Sequence, residues 1–303
     1  MPEALPAWPS LPGADWQDTR DTLHLWTQVV GKVKLARTPL VNHWWNVTFR
    51  VTDRGMTTGV VPGGAGGAFQ IDFDLVDHRL RIGRADGAVA EVALEPRSVA
   101  DFYAEVLARL DELGVATPIW SMPVEIPGAI PFTDDHDHAS YDAAAVESFH
   151  RSLIDMDRVF HGFRAGFVGK CSPVHFFWGG FDHAVTRFSG RTAPPHPGGA
   201  PNCGPHVMLE AYSHEVSSAG YWPGGSEEGT FYSYAYPEPP GFADWDDLPA
   251  GAAYDAELGE FVLPYAAVRT ADDPDALLAD FLQRTYLAAA DLGDWDRPAL
   301  EHA

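Results

Sequence analysis

Hydrophobic and polar positions follow two periods along the chain. Apolar residues from Thr19 to Ala36 recur every three to four positions, which predicts an amphipathic helix, and Ser98 to Gly114 shows the same spacing. The segments between these helices alternate apolar and polar residues, as half-buried strands do. We therefore predict a helix, an antiparallel meander and a second helix, with strands at Val41–Val51, 68–77, 78–85 and 88–94.

Capping residues mark the ends of the predicted helices. Ser98 lies three residues before Asp101, the spacing of a capping box, and Gly114 is a typical C-terminal stop. Two further helices in the second half have alternative starting residues: Ser140 or Asp142 for one, and Asp272 or Asp273 before Pro274 for the other.

The second half repeats the order of the first. The stretch SPVHFFWGGFDHAVTRFSGR, Ser172–Arg191, reads as its first strand, and 209–218 and 230–238 follow as further strands. Shifting the first half by a constant offset superimposes similar residues on that stretch. Pro39, Trp44, Val51 and Thr52 meet Pro173, Trp178, Val185 and Thr186.

These patterns predict an α+β protein of two tandem similar lobes, each an antiparallel β-sheet flanked by helices. We expect an internal duplication, so that the single chain is a pseudo-dimer packed as one body. The expected lobes are residues 1–130 and 131–303. A proline-rich extended connector, 117–140, joins them, and the second lobe carries turn-rich loop insertions at 191–205 and 237–251. Long irregular insertions in compact domains are often functional.

Charge and composition narrow the functional classes. The chain has 303 residues, is 46% hydrophobic and carries a formal net charge of -23 from 43 acidic and 20 basic residues. Without a basic stripe it is not expected to bind nucleic acid, and without a long apolar run it is not expected to enter a membrane. Two cysteines and no leader-like segment favour a cytoplasmic, bacterial protein. The oligomeric state stays open.

Two clusters of the second lobe contain candidate catalytic residues. If Ser172–Arg191 is one straight strand, His175 and His183 are roughly 26 Å apart and cannot share a metal, unless the Gly179-Gly180 pair bends the strand. Asp182 is either ion-paired with Arg187 or orients a substrate. His214 and Glu215 point to opposite faces of their strand, and His214 approaches His175 if the two strands are neighbours.

Two histidines with a carboxylate suit acid and base chemistry or a nonhaem metal, for which iron, copper, manganese and zinc are candidates. His138, in an HxH spacing among aspartates, is a third candidate ligand. The alternative for each histidine is ordinary packing or a solvated turn. The sequence contains no GxGxxG after a strand, Walker loop, GxSxG elbow or HExxH.

Several segments resemble a bacterial family of unknown function, DUF5996. They are LHLWTQVVGK, NHWWNVTFRVTDRG, FQIDFDLVDHRL, HASYD, SPVHFFWGGFDHAVTRFSGR, EAYSHEVSSAGYWPGG and FYSYAYPEP. The chain departs from the family pattern at His183, where the family has an apolar residue. The resemblance implies no reaction, but it implies which positions to watch: His43, Asp72, His78, His138, His175, Asp182, Arg187, His214 and Glu215.

The leading expectation is an enzyme that acts on a small molecule by histidine-centred acid and base or metal-assisted chemistry. The alternative is a noncatalytic protein with an aromatic-lined groove that binds a small ligand or acts as a scaffold. The expected catalytic residues are His175, His214, Glu215 and Asp182. Arg187, Trp178, Tyr212, Tyr232 and Tyr234 are expected to bind substrate, and His175, His214 and His138 to hold a metal.

Overall fold

The computed structural model describes residues 7–302. Its helices are α1 (Gln17–Arg37), α2 (Val99–Glu112), α3 (Ala143–Ala165), α4 (Pro205–Ala211), α5 (Tyr265–Arg269), α6 (Pro274–Leu292) and α7 (Arg297–Leu300). Its strands are β1 (Arg50–Thr52), β2 (Gly55–Pro62), β3 (Ala68–Asp74), β4 (Arg79–Arg84), β5 (Val89–Ala93), β6 (His175–Phe177), β7 (Asp182–Thr192), β8 (His214–Trp222), β9 (Thr230–Tyr236), β10 (Ala253–Asp255) and β11 (Glu260–Pro264).

The strands form two antiparallel sheets, which confirms the α+β class. The first has five strands in the order β1-β2-β3-β4-β5, and the second has six in the order β10-β11-β9-β8-β7-β6. The sheets meet at one edge, where the backbones of Phe49 and Phe176 exchange two hydrogen bonds of 2.9 Å. One cluster of buried apolar side chains includes residues of both halves of the chain.

The predicted helix ends are confirmed. The Ser98 hydroxyl accepts a hydrogen bond from Asp101 N, which makes Ser98 the N-cap, and donates one to the Asp101 carboxylate in place of the backbone bond of a capping box. Asp142 is the cap that begins α3, and Asp273 begins α6 just before Pro274. Segment 116–142 has neither helix nor strand, in agreement with the predicted connector.

The predicted strand Val41–Val51 is wrong over most of its length. Asn42–Trp44 is instead a turn of 3-10 helix, in which His43 and Trp44 have left-handed backbone angles, φ of 57° and 61°. Strand β1 begins only at Arg50, and β2 was not predicted. Alternation of apolar and polar residues cannot distinguish a strand from such a turn when aromatic residues dominate both.

The stretch Ser172–Arg191 is a hairpin and not one strand. Strand β6 turns at Gly179-Gly180 and returns as β7, so that His175 pairs with Ala184 and Phe177 with Asp182. His175 and His183 are therefore close along the hairpin and point to opposite faces, which corrects the separation expected for a straight strand. In the segment 209–218, Leu209–Ala211 ends α4, and β8 begins at His214.

The two faces of the second sheet have different environments. His183, Val185 and Arg187 point to the face covered by α3 and α6, where all three are buried. Asp182, Ala184 and Thr186 point to the other face, which none of the long helices in residues 7–302 covers. The second face is therefore available for a cavity. None of the helices in residues 7–302 is long and apolar enough to cross a membrane.

Candidate functional site

A cavity of about 390 Å³ lies on the uncovered face of the second sheet, a volume typical of small-molecule sites. Its floor is the sheet itself, through side chains of three adjacent strands. The walls are largely aromatic and aliphatic. The floor includes Asp182, Thr186, Ser218, Tyr232 and Tyr234, and the walls include Trp44, Trp45, Val47, Phe177, Trp178, Phe188, Val207 and Met208.

Two of the three irregular segments predicted from the sequence, the connector and the insertion 191–205, close this cavity, and the insertion 237–251 does not line it. Glu125 N donates to Pro201 O at 2.8 Å, and Asn202 Nδ2 donates to Pro123 O at 3.0 Å, so that the connector and the insertion after β7 hold each other. Helix α4 follows in the same insertion and is held by Trp44 Nε1, which donates to Val207 O. The long loops therefore have a defined structural role as walls.

Two carboxylates meet at one end of the cavity. A methyl group placed on Gly180 would lie 2.9 Å from Asp182 Oδ1 and 3.6 Å from Glu125 Oε2, and one placed on Gly179 would collide with Glu125 Oε1. The Glu125 carboxylate therefore lies against the hairpin turn, and a side chain at Gly179 would have to displace the end of the Glu125 side chain. Glu125 itself has a left-handed φ of 62°, which directs it toward the turn.

The surroundings of these carboxylates disfavour their charged forms. Burial raises the pKa of Asp182 to about 6, and burial together with the nearby Asp182 charge raises the pKa of Glu125 to about 7. By accessible surface Glu125 is exposed and Asp182 is half-buried, because both face the open cavity, while the protein atoms packed behind them reduce their hydration. Near neutral pH the pair therefore readily holds one proton, with Asp182 the stronger acid.

Hydroxyl groups extend this polar end across the sheet. Tyr232 donates its hydroxyl to Asp182 Oδ2 at 2.5 Å, which stabilises the carboxylate and partly offsets the effect of burial. The Tyr212 and Tyr234 hydroxyls are 2.9 Å apart and hydrogen-bonded to each other. Burial raises the pKa of Tyr232 and Tyr234 well above its usual range, so both remain protonated donors.

A second cavity of about 400 Å³ adjoins the first. Asp182, Tyr232 and Tyr234 line both cavities, so these side chains form the partition between them. Glu260 faces the second cavity, and burial, with the Asp182 and Asp255 charges, raises its pKa to about 7.

His43 lies at the opposite end of the first cavity. Its Nδ1 donates to Ala211 O at 3.0 Å, so Nε2 is the acceptor of the bond from Lys170 Nζ at 2.6 Å. Burial and the Lys170 charge lower the pKa of His43, and the ring is therefore neutral at physiological pH. The left-handed turn at 42–44 places this ring between α4 and the sheet.

The structure does not bring His175 and His214 together, as the sequence interpretation required. His175 pairs with Ala184, and His214 pairs with Thr192. These two partners are eight positions apart on β7, which separates the two histidines by roughly 20–26 Å. His175 is fully buried, neither ring nitrogen has a partner in residues 7–302, and burial lowers its pKa far below the usual range. The His214 ring lies 5.7 Å from the His43 ring.

Arg187 and Glu215 also lie away from the cavity. The Arg187 guanidinium is buried between the rings of Phe163 and Tyr286, 3.5 and 4.3 Å from their centroids, on the face opposite Asp182. It can neither pair with Asp182 nor reach a ligand in the cavity. Glu215 accepts hydrogen bonds from Ser189 and Arg191, which join the sheet to the end of α6.

The metal expectation also lacks support in the geometry. His138 Nδ1 lies 2.9 Å from the buried Asp135 carboxylate, which also accepts from the backbone of this turn. Across residues 7–302, no three His, Cys, Asp or Glu side chains converge as metal ligands do. Of the predicted site residues, Asp182, Trp178, Tyr212, Tyr232 and Tyr234 line the first cavity.

Glu125 and Glu260 were not predicted as site residues. A signal for Glu125 was present, because it is the one charged residue among the apolar and proline residues from Ala116 to Thr133. A lone acid in such a segment has to face either solvent or a polar pocket. Glu260 carries no comparable signal, since charged residues are common next to turns.

Comparisons with known proteins place the chain in one family. The sequence model of DUF5996, a family of unknown function, matches residues 8–302. No curated protein matches the chain. No solved structure matches it either. The match spans both sheets and every segment that forms the cavity, and the chain therefore belongs to the DUF5996 family.

Proposed function

We propose that this protein is an enzyme that acts on a small molecule in the first cavity, with Asp182 and Glu125 as its acid and base pair. The observation that carries the proposal is their convergence at Gly180, inside an apolar cavity and without a basic partner in residues 7–302. Carboxylates with raised pKa values in a cleft are typical of acid and base catalysis.

The two carboxylates would take different roles because their surroundings differ. Asp182 has the lower pKa, about 6, and receives the Tyr232 hydroxyl, which suits it to be the base. Glu125 has the higher pKa, about 7, and suits the acid that returns a proton. The proposal thus moves the proton-transfer role from the histidines to this pair.

Turnover of an unselected mixture tests the proposal. The protein is incubated with a small-molecule extract, and mass spectrometry detects which compounds are consumed and formed. We expect Asp182→Asn and Glu125→Gln to lose conversion by at least about a hundredfold, as removal of acid or base groups does. Glu112→Gln, an exposed change on α2, is the matched control. Full conversion by both variants would refute the proposal.

The alternative is a noncatalytic protein that binds a small ligand, and the mostly apolar walls of the cavity favour it. In that case the ligand stabilises the protein but is recovered unchanged, by the native chain and by Asp182→Asn alike. The same incubation separates the two proposals, because it measures both depletion of a compound and formation of a product.

The duplication remains part of the proposal. Both halves begin and end with a long helix around one antiparallel sheet, from α1 to α2 and from α3 to α6. The first sheet is a simple meander, whereas in the second β11 lies between β9 and β10 and α4 interrupts the strands. The cavity lies in the half with the longer insertions, so a duplicated lobe would have acquired its site by loop growth. Superposition of residues 17–112 on 143–292 tests this, and strands that follow different paths would contradict it.

A further inference from the structure

We infer that the ligand of this site is an organic cation, an ammonium or guanidinium group attached to an apolar or aromatic body. The inference deepens the proposed function and rests on the same cavity. It follows from the charges around the two cavities, from their walls and from their size, each considered in turn.

The cavities are acidic without compensating bases. Glu125 and Asp182 face the first, and Asp182, Asp255 and Glu260 face the second. No Lys or Arg of residues 7–302 lines either cavity, and Glu125, Asp182 and Glu260 form no salt bridge there. Glu125 is exposed to the first cavity and Asp182 and Glu260 are half-buried, so a ligand that displaces water from them would leave their charges unpaired unless it carried a cation.

The nearest lysines are directed elsewhere. Lys32 Nζ lies 4.8 Å from the centroid of the Trp120 ring, beyond Cys203, and Lys170 donates to His43 Nε2. Neither lysine reaches the carboxylates to neutralise them. The histidines that line the first cavity, His43 and His206, lie at the side formed by α4, where His43 is neutral. The acidic end is therefore free to receive a positive group.

The walls suit the remainder of such a molecule. Trp178 and Tyr232 line the first cavity beside Asp182, and aromatic faces attract ammonium and guanidinium groups as well as apolar bodies. The volume of about 390 Å³ accommodates a ligand with one or two rings. The net charge of -23 also raises the concentration of cations near the entrance.

Binding of a cation would depend on pH in a defined direction. The ligand requires charged carboxylates, and these form as the pH rises through about 6 for Asp182 and about 7 for Glu125. Affinity should therefore rise over this range and level off above it. The titratable groups that face the pair are Tyr212, Tyr232 and Tyr234 from the floor, Glu260 from β11 and Cys203 from the insertion, with Lys32 behind it.

Three indole compounds that differ in charge test the inference: tryptamine, its neutral alcohol tryptophol, and indole-3-acetate. Calorimetry on the full chain at about pH 8 should show tryptamine binding at least tenfold more tightly than tryptophol, roughly the value of one charge-assisted contact, with indole-3-acetate weakest. Glu125→Gln combined with Asp182→Asn should bring tryptamine down to the affinity of tryptophol. Glu112→Gln should keep the full difference.

The inference would be overturned if the three compounds bound equally well, or if tryptophol or indole-3-acetate bound more tightly than tryptamine. It would also be overturned if none of the three bound at about 10 mM. These outcomes are separate from failure of the proposed function. If the protein converts a neutral compound through Asp182 and Glu125, the proposed acid and base pair stands and only the cationic ligand is refuted. Selective binding of tryptamine without any conversion of extract compounds would support the cation site alone.

Discussion

Gln28 on α1 and Val124 in the connector are joined by two hydrogen bonds through one side-chain amide. Gln28 Nε2 donates to Val124 O, and Gln28 Oε1 accepts from Val124 N, both at 2.8 Å. The same Nε2 also reaches Gly179 O at 3.2 Å, and His24 Nε2 donates to that oxygen at 2.8 Å. Helix α1 thereby fixes both segments that carry the carboxylates of the cavity.

Gln28→Ala should weaken the attachment of the connector that carries Glu125, although Gln28 itself does not line the cavity. The substitution leaves the Val124 N–H and C=O groups without partners, which costs about 1–3 kcal/mol of unfolding free energy. Because Glu125 is then less firmly held within the cavity, its pKa should fall toward the usual range. Urea unfolding and a carbon-13 titration of the carboxyl groups measure the two effects. Gln17→Ala, an exposed change on the same helix, is the control and should alter neither the unfolding free energy nor the Glu125 pKa. An unaltered Glu125 pKa in Gln28→Ala would contradict the account.

Tyr232→Phe should raise the pKa of Asp182 above about 6. The hydroxyl bond favours the charged carboxylate, so its removal leaves burial less opposed, and a shift of about one unit is expected. Carbon-13 NMR titration of Asp182 checks the direction. Tyr254→Phe, which removes an exposed bond to Glu238, is the control. A lowered or unchanged Asp182 pKa would show that the hydroxyl does not stabilise the carboxylate.

The Asp182→Asn variant should become more stable than the native chain as the pH rises. The folded-state pKa of Asp182 is raised, so the native chain holds a proton that the unfolded chain loses, and its stability declines from about pH 4 to above pH 6. The variant lacks this loss and should gain about 3 kcal/mol over the native chain across that range. Loss of the Asp182 charge also lowers the pKa of Glu125 and of Glu260, which adds to this gain. Chemical unfolding at several pH values gives the difference, and a constant difference would contradict a raised pKa.

His175→Phe should fold and bind ligand as the native chain does. The His175 ring is buried beside Phe177, 4.6 Å between centroids, with both nitrogens unpaired in residues 7–302, so an apolar ring of similar shape avoids that cost. His43→Phe is the informative counterpart, because it removes the bonds to Ala211 O and Lys170 in the cavity wall. We expect ligand affinity to fall only in His43→Phe. A loss of ligand affinity in His175→Phe but not in His43→Phe would place the binding site at His175 instead.

The sequence predicted those parts of the fold in which local periodicity agrees with the tertiary structure. The capping residues Ser98 and Asp273, the irregular connector and strands β3, β4, β5 and β9 were predictable, because each depends on nearby residues, whereas β2 was not predicted. The hairpin at Gly179-Gly180 was not, since its two arms read as one continuous alternation. The Glu125 carboxylate that packs against this turn is more than fifty positions away, so no local pattern indicates the contact.

The site was predictable to the extent that its residues share one sheet face. Asp182, Tyr232 and Tyr234 were identified because carboxyl and phenol groups stand out on apolar strands. The histidines were misplaced, because pairing of His214 with Thr192 rather than with a residue near His175 is decided by strand register, which a single sequence does not give. Glu125 was missed because loop packing brings it to the cavity.

The most direct test of the central claim is the pH dependence of kcat/KM for a compound that the protein converts. With Asp182 as the base and Glu125 as the acid, the profile should be bell-shaped, with limbs near pH 6 and 7. Tyr232→Phe should move the acidic limb to higher pH. A profile that is flat between about pH 5 and 8, or one that Tyr232→Phe leaves in place, would contradict the assignment of this pair.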